Sequence, residues 1–139
     1  MRLQDKVAIV TGAGSGIGRG ISIMFAKEGA KVVVCDYNED TAKETVLQIE
    51  QSKGTTMAVK CDVSKQKDVD KAVKKTIEKF GRVDILDNNA GILIKKPLVK
   101  MTEKEWDTLI SINLKGAFLF SKEVLPYMTK QGNGVIVNI

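Results

Sequence analysis

Histidine is absent from the 139 residues, which excludes histidine-based catalytic triads and histidine-bearing metal sites. Cysteine occurs only as Cys35 and Cys61, each at the end of an apolar run and without C-x-x-C spacing. A thiolate zinc site would need carboxylates to complete it, so no metal is expected, and the two thiols read as small buried hydrophobes. No apolar run approaches the ~18 residues of a membrane span. Met1-Arg2-Leu3-Gln4-Asp5-Lys6 enters the first apolar run too early for a secretory signal. A cytoplasmic protein with no membrane partner is therefore expected. Arginine is scarce, with only Arg2, Arg19 and Arg82, although the net charge is +5. The surplus is lysine spread along the chain, which lacks the bidentate groups that nucleic-acid recognition favours and reads as a solvated surface. No nucleic-acid partner is expected.

What remains is the composition of a globular protein, 43% hydrophobic and 28% charged. The length is one domain's worth, enough to bury roughly two-thirds of the unfolded surface, and residues 1–139 show no linker or low-complexity tract. Apolar runs open at Val7, Val32, Met57, Val83 and Val135, at intervals of 25, 25, 26 and 52 residues. Between them Ile17, Ile21, Met24 and Phe25, then Ala42, Val46 and Ile49, then Val69, Ala72, Val73, Ile77 and Phe80 recur at helical spacing. Short continuous apolar strands alternating with amphipathic helices imply an α/β fold, a doubly wound parallel sheet covered on both faces. Right-handed crossovers favour the strand order 3-2-1-4-5. Thr102-Glu103-Lys104-Glu105 is a capping box for the fourth helix, Asn38 and Ser64 can cap the second and third, and Gly29, Gly54 and Gly81 stand where helices should stop.

The first apolar run breaks into Thr11-Gly12-Ala13-Gly14-Ser15-Gly16-Ile17-Gly18 before helical spacing resumes. Glycines there let the backbone turn tightly and let a ligand approach closely, and the following helix N-terminus favours a diphosphate. The G-x-G-x-x-G fingerprint is not met, because position 17 is Ile17 and position 19 is Arg19. The pattern present is T-G-x-x-x-G-x-G.

In such a sheet ligands bind beyond the carboxyl ends of the strands. The second run ends at Asp36, 18 residues beyond Gly18. A carboxylate there can accept from both ribose hydroxyls of an adenosine and would repel a 2′-phosphate, and the residues that follow, Tyr37 and Asn38, bring no basic group, so NAD is favoured over NADP. The third run ends at Asp62-Val63, which could meet an adenine amino group and ring, or Asp62 could simply neighbour the cap at Ser64. The fourth ends in Asn88-Asn89-Ala90-Gly91, small and polar residues that suit a ribose or nicotinamide and that also occur in ordinary loops. Trp106, Leu109 and Ile110 read as a core stripe of the fourth helix, whose next position is Asn113. A buried amide there must find partners; satisfying a kinked helix backbone and orienting a water are both expected of it.

Taken together, these motifs resemble the short-chain dehydrogenase/reductase family, from the first strand to the last residue. The resemblance implies an oxidoreductase that moves hydride between a nicotinamide cofactor and an alcohol or carbonyl substrate. It implies that Gly12, Ser15, Gly16, Ile17 and Gly18 cradle the pyrophosphate, Asp36 takes the adenosine ribose, Asp62 and Val63 the adenine, and Asn89, Ala90 and Gly91 the nicotinamide-side ribose. Asn113 would be one member of the catalytic tetrad. The other three, a serine after the fifth strand and a Tyr-x-x-x-Lys pair, are not in these residues; Tyr37 is followed at the fourth position by Thr41 and Tyr127 by Gln131. The 139 residues alone are therefore expected to bind cofactor without turning it over. The fifth strand, ending at Ile139, is expected to be an open edge that favours homo-oligomers or self-association. Asp87 stands where the family more often carries an apolar residue. Two other readings compete: an S-adenosylmethionine-dependent methyltransferase, whose glycine pattern Gly14, Gly16 and Gly18 also fit, and a non-catalytic nucleotide-binding or pairing module. The substrate is left open.

Overall fold

The computed structural model describes residues Met1–Ile139. Five strands, β1 (Val7–Thr11), β2 (Lys31–Asp36), β3 (Thr56–Lys60), β4 (Ile85–Asn88) and β5 (Val135–Asn138), form one parallel sheet in the order β3-β2-β1-β4-β5. This is the expected doubly wound order. Every residue of β1 is buried, because the central strand carries helices on both faces and its VAIVT run has no polar side to show. Helices α1 (Gly16–Lys27), α2 (Glu39–Gln51) and α3 (Gln66–Phe80) fill the first three crossovers. A 3₁₀ turn at Leu98–Lys100 precedes α4 (Glu103–Ile110), a π-helical turn (Ser111–Lys115) and α5 (Gly116–Gln131).

Alternation along the strands divides the core. Ile9, Val33, Cys35 and Leu86 point into a cluster with Val69 and Val73 of α3 and Phe120 and Val124 of α5. Val10, Val32 and Val34 point to the opposite face, with Ala42 and Ile49 of α2. Full burial of Phe120, the largest side chain wholly inside, contributes about 2–3 kcal/mol. Cys35 and Cys61 are both buried and unpaired with each other, as their apolar settings imply.

Helix punctuation follows the sequence at two of three N-termini. The Asn38 side chain accepts from the backbone N–H groups of Asp40 and Thr41, and Thr102 forms the complete capping box with Glu105. Lys96 lies 2.6 Å from Glu105, and hydrogen bonds from Lys96 and the Thr102 N–H push the Glu105 carboxyl down to about 2. Ser64 does not cap α3: Lys65 holds that position, and the Ser64 hydroxyl donates to Asp62 instead. Gly81 ends α3 in a left-handed cap, whereas after α2 the left-handed residue is Lys53 rather than Gly54.

Two further expectations are corrected. The fourth strand begins at Ile85 and not at Val83, because Val83 pairs through its backbone with the Gln131 side chain while Asp84 turns its carboxylate to the Val7 N–H. The supposed core stripe of α4 is not core: Trp106 is 52% exposed, and no residue of α4 is buried.

Candidate functional site

The loops that leave β1, β2 and β4 converge above the middle of the sheet. At the end of β1 the chain turns through Gly12 and Gly16, both at positive φ (62° and 52°), which only a glycine adopts without strain. A Cβ at Gly16 would meet nothing within 4 Å, so the glycine there serves the backbone turn and not close packing. Helix α1 then starts with Ser15 as N-cap, yet that side chain caps no N–H group, and its first turn holds no acidic residue. Its N-terminal donors face solvent beside exposed Ser15 and Ile17, where an anion would be held by the helix dipole. By contrast, α2 and α4 satisfy their own N-termini with side-chain caps and acidic first turns.

Asp36 reaches this turn from the end of β2. Its Oδ2 accepts from the Gly14 N–H at 2.8 Å, and its Oδ1 accepts from the Asn38 N–H at 2.9 Å. A Cβ on Gly14 would meet the Asp36 carboxylate carbon at 2.8 Å, so glycine there is what admits the contact. The carboxylate is thereby fixed at the mouth with lone pairs left over for hydroxyl donors.

Thr11 joins the turn to the loop after β4. Its hydroxyl donates to the Asp87 carbonyl and accepts from the N–H groups of Asn89 and Ala90 at 3.1 and 3.0 Å. Asn89 answers with Nδ2 donating to the Thr11 and Gly12 carbonyls at 2.9 and 3.3 Å. Asn89 and Ala90 thus stand beside Gly12, and Asn89 also beside Gly18, whereas Gly91 faces Asn113. Asn113 approaches from the π-helical turn, where its Oδ1 accepts from the Ile92 N–H and its Nδ2 donates to the Ile92 carbonyl, both at 2.9 Å. The amide is exposed and braces the β4 loop, which corrects the expectation that it is buried and bonds its own helix. Replacing Asn113 with Ala should accelerate amide exchange at Ile92 by about tenfold, with little change in melting temperature because the contact lies at the surface. Exchange at an unaltered rate would contradict the brace.

Asp62 and Val63 lie at the end of β3, and the structure engages both locally. Asp62 Oδ1 accepts from the Ser64 N–H and hydroxyl, and its own N–H donates to Asp68. Val63 is only 8% exposed and packs against Gly116, so little of its side chain is left to face a ring. Residues that the sequence reading assigned no role also build the site. Besides Thr11, these are Arg19 on α1 and Thr45 on α2, which bond to the turn from behind. Thr45 is fully buried beside Ala42 and Ile49 on α2, in addition to the expected Val46, which packs against the same cluster. A hydroxyl in an apolar stripe was the available signal.

Comparison with known proteins agrees with this geometry. A sequence profile described as short chain dehydrogenase matches residues 6–139. An uncharacterized oxidoreductase of Thermotoga maritima is 47% identical over all of this chain and 55% of its own length. The 3-oxoacyl-[acyl-carrier-protein] reductase FabG of the same organism is 42% identical over all of this chain and 56% of its own. The structure of a 7α-hydroxysteroid dehydrogenase complexed with NADH and 7-oxo glycochenodeoxycholic acid superposes with a TM-score of 0.95 at 42% identity, covering 99% of this chain and 54% of that one. The chain spans about half the length of the curated relatives it matches. With the glycine turn, the carboxylate after β2 and the Asn-Asn-Ala-Gly loop all at one end of the sheet, the chain belongs to the short-chain dehydrogenase/reductase family.

Proposed function

We propose that these residues form the cofactor-binding part of an oxidoreductase that exchanges hydride between a nicotinamide dinucleotide, NAD in preference to NADP, and a secondary alcohol or its carbonyl. The observation that carries the reading is the Asp36 carboxylate, held against Gly14 at the mouth of the turn. The turn's N–H groups and the dipole of α1 would hold the diphosphate. Asp36 would accept from the adenosine ribose hydroxyls and repel a 2′-phosphate. Asn89, Ala90 and Gly91 would line the nicotinamide-side ribose, with the Thr11 and Asn89 bonds keeping that loop in place. The cofactor, when bound, supplies the hydride chemistry, and the protein supplies placement. Asn113 contributes by fixing the Ile92 peptide beside that loop.

FabG is named a 3-oxoacyl-[acyl-carrier-protein] reductase and the hydroxysteroid dehydrogenase was solved with a 7-oxo compound, which supports a ketone or secondary alcohol as substrate class. The acid that would protonate such a carbonyl is not among these residues, so the 139-residue chain should bind NADH and not oxidise it. The methyltransferase reading gives the Asn-Asn-Ala-Gly loop no task. Calorimetry with NADH, NADPH and S-adenosylmethionine tests the proposal. Asp36→Ala should weaken NADH binding by about tenfold or more and leave NADPH binding unchanged or tighter. Equal binding of NADH by both proteins would overturn the assignment, whereas steady NADH oxidation by this chain with a ketone would overturn only the expected inactivity of these residues.

A further inference from the structure

The Ala13–Gly14 peptide, in the middle of the glycine turn, is held at both of its polar ends. Its N–H donates to Asp36 at 2.8 Å. Its carbonyl, that of Ala13, accepts from the Thr45 hydroxyl at 2.9 Å. Thr45 is fully buried and can also reach the Thr41 carbonyl of its own helix, at the longer distance of 3.2 Å. A hydroxyl has one proton to give, so whatever occupies its lone pairs helps decide where that proton goes. Arg19 does so: its Nε donates to Thr45 Oγ1 at 3.0 Å. The same guanidinium donates through Nη2 to the Gly14 carbonyl, and it meets Glu44 on the solvent side at 2.9 Å. Arginine suits this place because its planar fork serves several acceptors in one fixed orientation. Hydrogen bonds in such a chain polarise one another, and the charge at its outer end strengthens the neutral bond at its inner end.

We propose that Arg19 and Thr45 are positioning residues for the adenosine end of the cofactor site. The chain from Arg19 Nε–H to Thr45 Oγ1–H to the Ala13 carbonyl fixes the peptide whose other end aims Asp36, and so sets the degree of preference for NADH over NADPH. The proposal rests on the reading of Asp36 given above. Neither residue need touch the cofactor. A role confined to joining α1 to α2 would lower thermal stability and leave cofactor preference alone, and that difference makes the relay testable.

Thr45→Val keeps the volume and removes the donor. Thr45→Ser keeps the donor. Arg19 is partly exposed, so Arg19→Gln removes the charge and the fork without opening the core. For each protein, fluorescence titration with NADH and with NADPH gives the preference, scanning fluorimetry gives the melting temperature, and amide exchange at Gly14 gives a readout that needs no cofactor. Thr45→Val should lower the preference for NADH by about tenfold and accelerate Gly14 exchange by a similar factor. Arg19→Gln should do the same more weakly, and Thr45→Ser should restore both. If the unsubstituted chain binds neither cofactor, the reading of Asp36 fails, while Gly14 exchange still decides the relay. Unchanged preference and unchanged Gly14 exchange in Thr45→Val and Arg19→Gln, whatever their melting temperatures, would overturn it.

Discussion

Gly18→Ala should abolish measurable NADH binding and cost the fold about 2–3 kcal/mol. Gly18 lies in the first turn of α1, where the helix passes closest to the turn before it. A Cβ there would stand 2.5 Å from Asn89 Nδ2, 2.8 Å from the Gly12 carbonyl carbon, and nearer still to the Gly12 oxygen. Neither neighbour can retreat cheaply. Gly12 is committed to positive φ, and the Asn89 amide is bonded to the Thr11 carbonyl at 2.9 Å. Relief would have to come from pushing α1 outward, which displaces the N–H groups of its first turn, or from releasing the β4 loop. Both routes dismantle the proposed phosphate cradle. Gly20, two residues on, provides the control: a Cβ there meets nothing within 4 Å. Gly20→Ala should be neutral or gain about 0.5–1 kcal/mol from helix propensity. Urea unfolding and NADH titration on both variants check the pair, and wild-type affinity in Gly18→Ala would refute the close-approach argument.

Asp87→Val should make the chain more stable at neutral pH, by about 1–3 kcal/mol. Asp87 is 2% exposed, stands in register between Val10 of β1 and Val137 of β5, and has one carboxyl oxygen, Oδ1, buried without a hydrogen-bond partner. Burial pushes its carboxyl up from the ordinary aspartate range, with no charged neighbour acting on it. The folded chain therefore holds this proton more tightly than the unfolded chain does. Its contribution to stability is greatest below the unfolded carboxyl's titration and is lost as pH rises through the folded value. Replacement by valine removes that loss, so the gain should be large at pH 7 and shrink toward acid. Asp84, three residues earlier and equally buried, behaves in the opposite way. Burial acts on it upward too, but hydrogen bonds from Arg82 and the Val7 N–H outweigh that and hold its carboxyl below the usual range. Its contribution is present above the unfolded titration and fades only as pH falls through the folded value. Denaturant unfolding of wild type and Asp87→Val from pH 4 to 8 separates these signs. A variant less stable than wild type at pH 7 would show that Asp87 is satisfied after all.

These two carboxylates mark where the sequence could and could not be read. The sheet order followed from the spacing of five apolar runs, because a buried parallel strand leaves an unbroken hydrophobic signature and crossovers have one favoured hand. The turn and Asp36 were readable for the same reason: both sit where strands end. The stretch from Thr102 to Gln131 was harder, because the π-helical turn at Ser111–Lys115 inserts a residue and rotates everything before it by about 100° relative to α5. A stripe drawn through Trp106 and Ile110 to Asn113 assumes an unbroken phase. The buried positions Gly116, Leu119, Phe120, Val124 and Met128 belong to another one. Arg19 and Thr45 carry no such signature, because each reaches the turn through a backbone carbonyl, that of Gly14 for Arg19 and that of Ala13 for Thr45, and a carbonyl leaves no mark in a sequence.

Two thiols in the interior give the molecule a built-in gauge. Burial pushes the Cys61 thiol up to about 12 and drives Cys35 well above its ordinary range, so neither offers thiolate to an electrophile while the sheet is closed. Cys35 lies in the middle of the main cluster and Cys61 just past the end of β3, both under 2% exposed. Alkylation at these sulfurs therefore requires the chain to open around them, and the pace of labelling at neutral pH reports how readily each site opens.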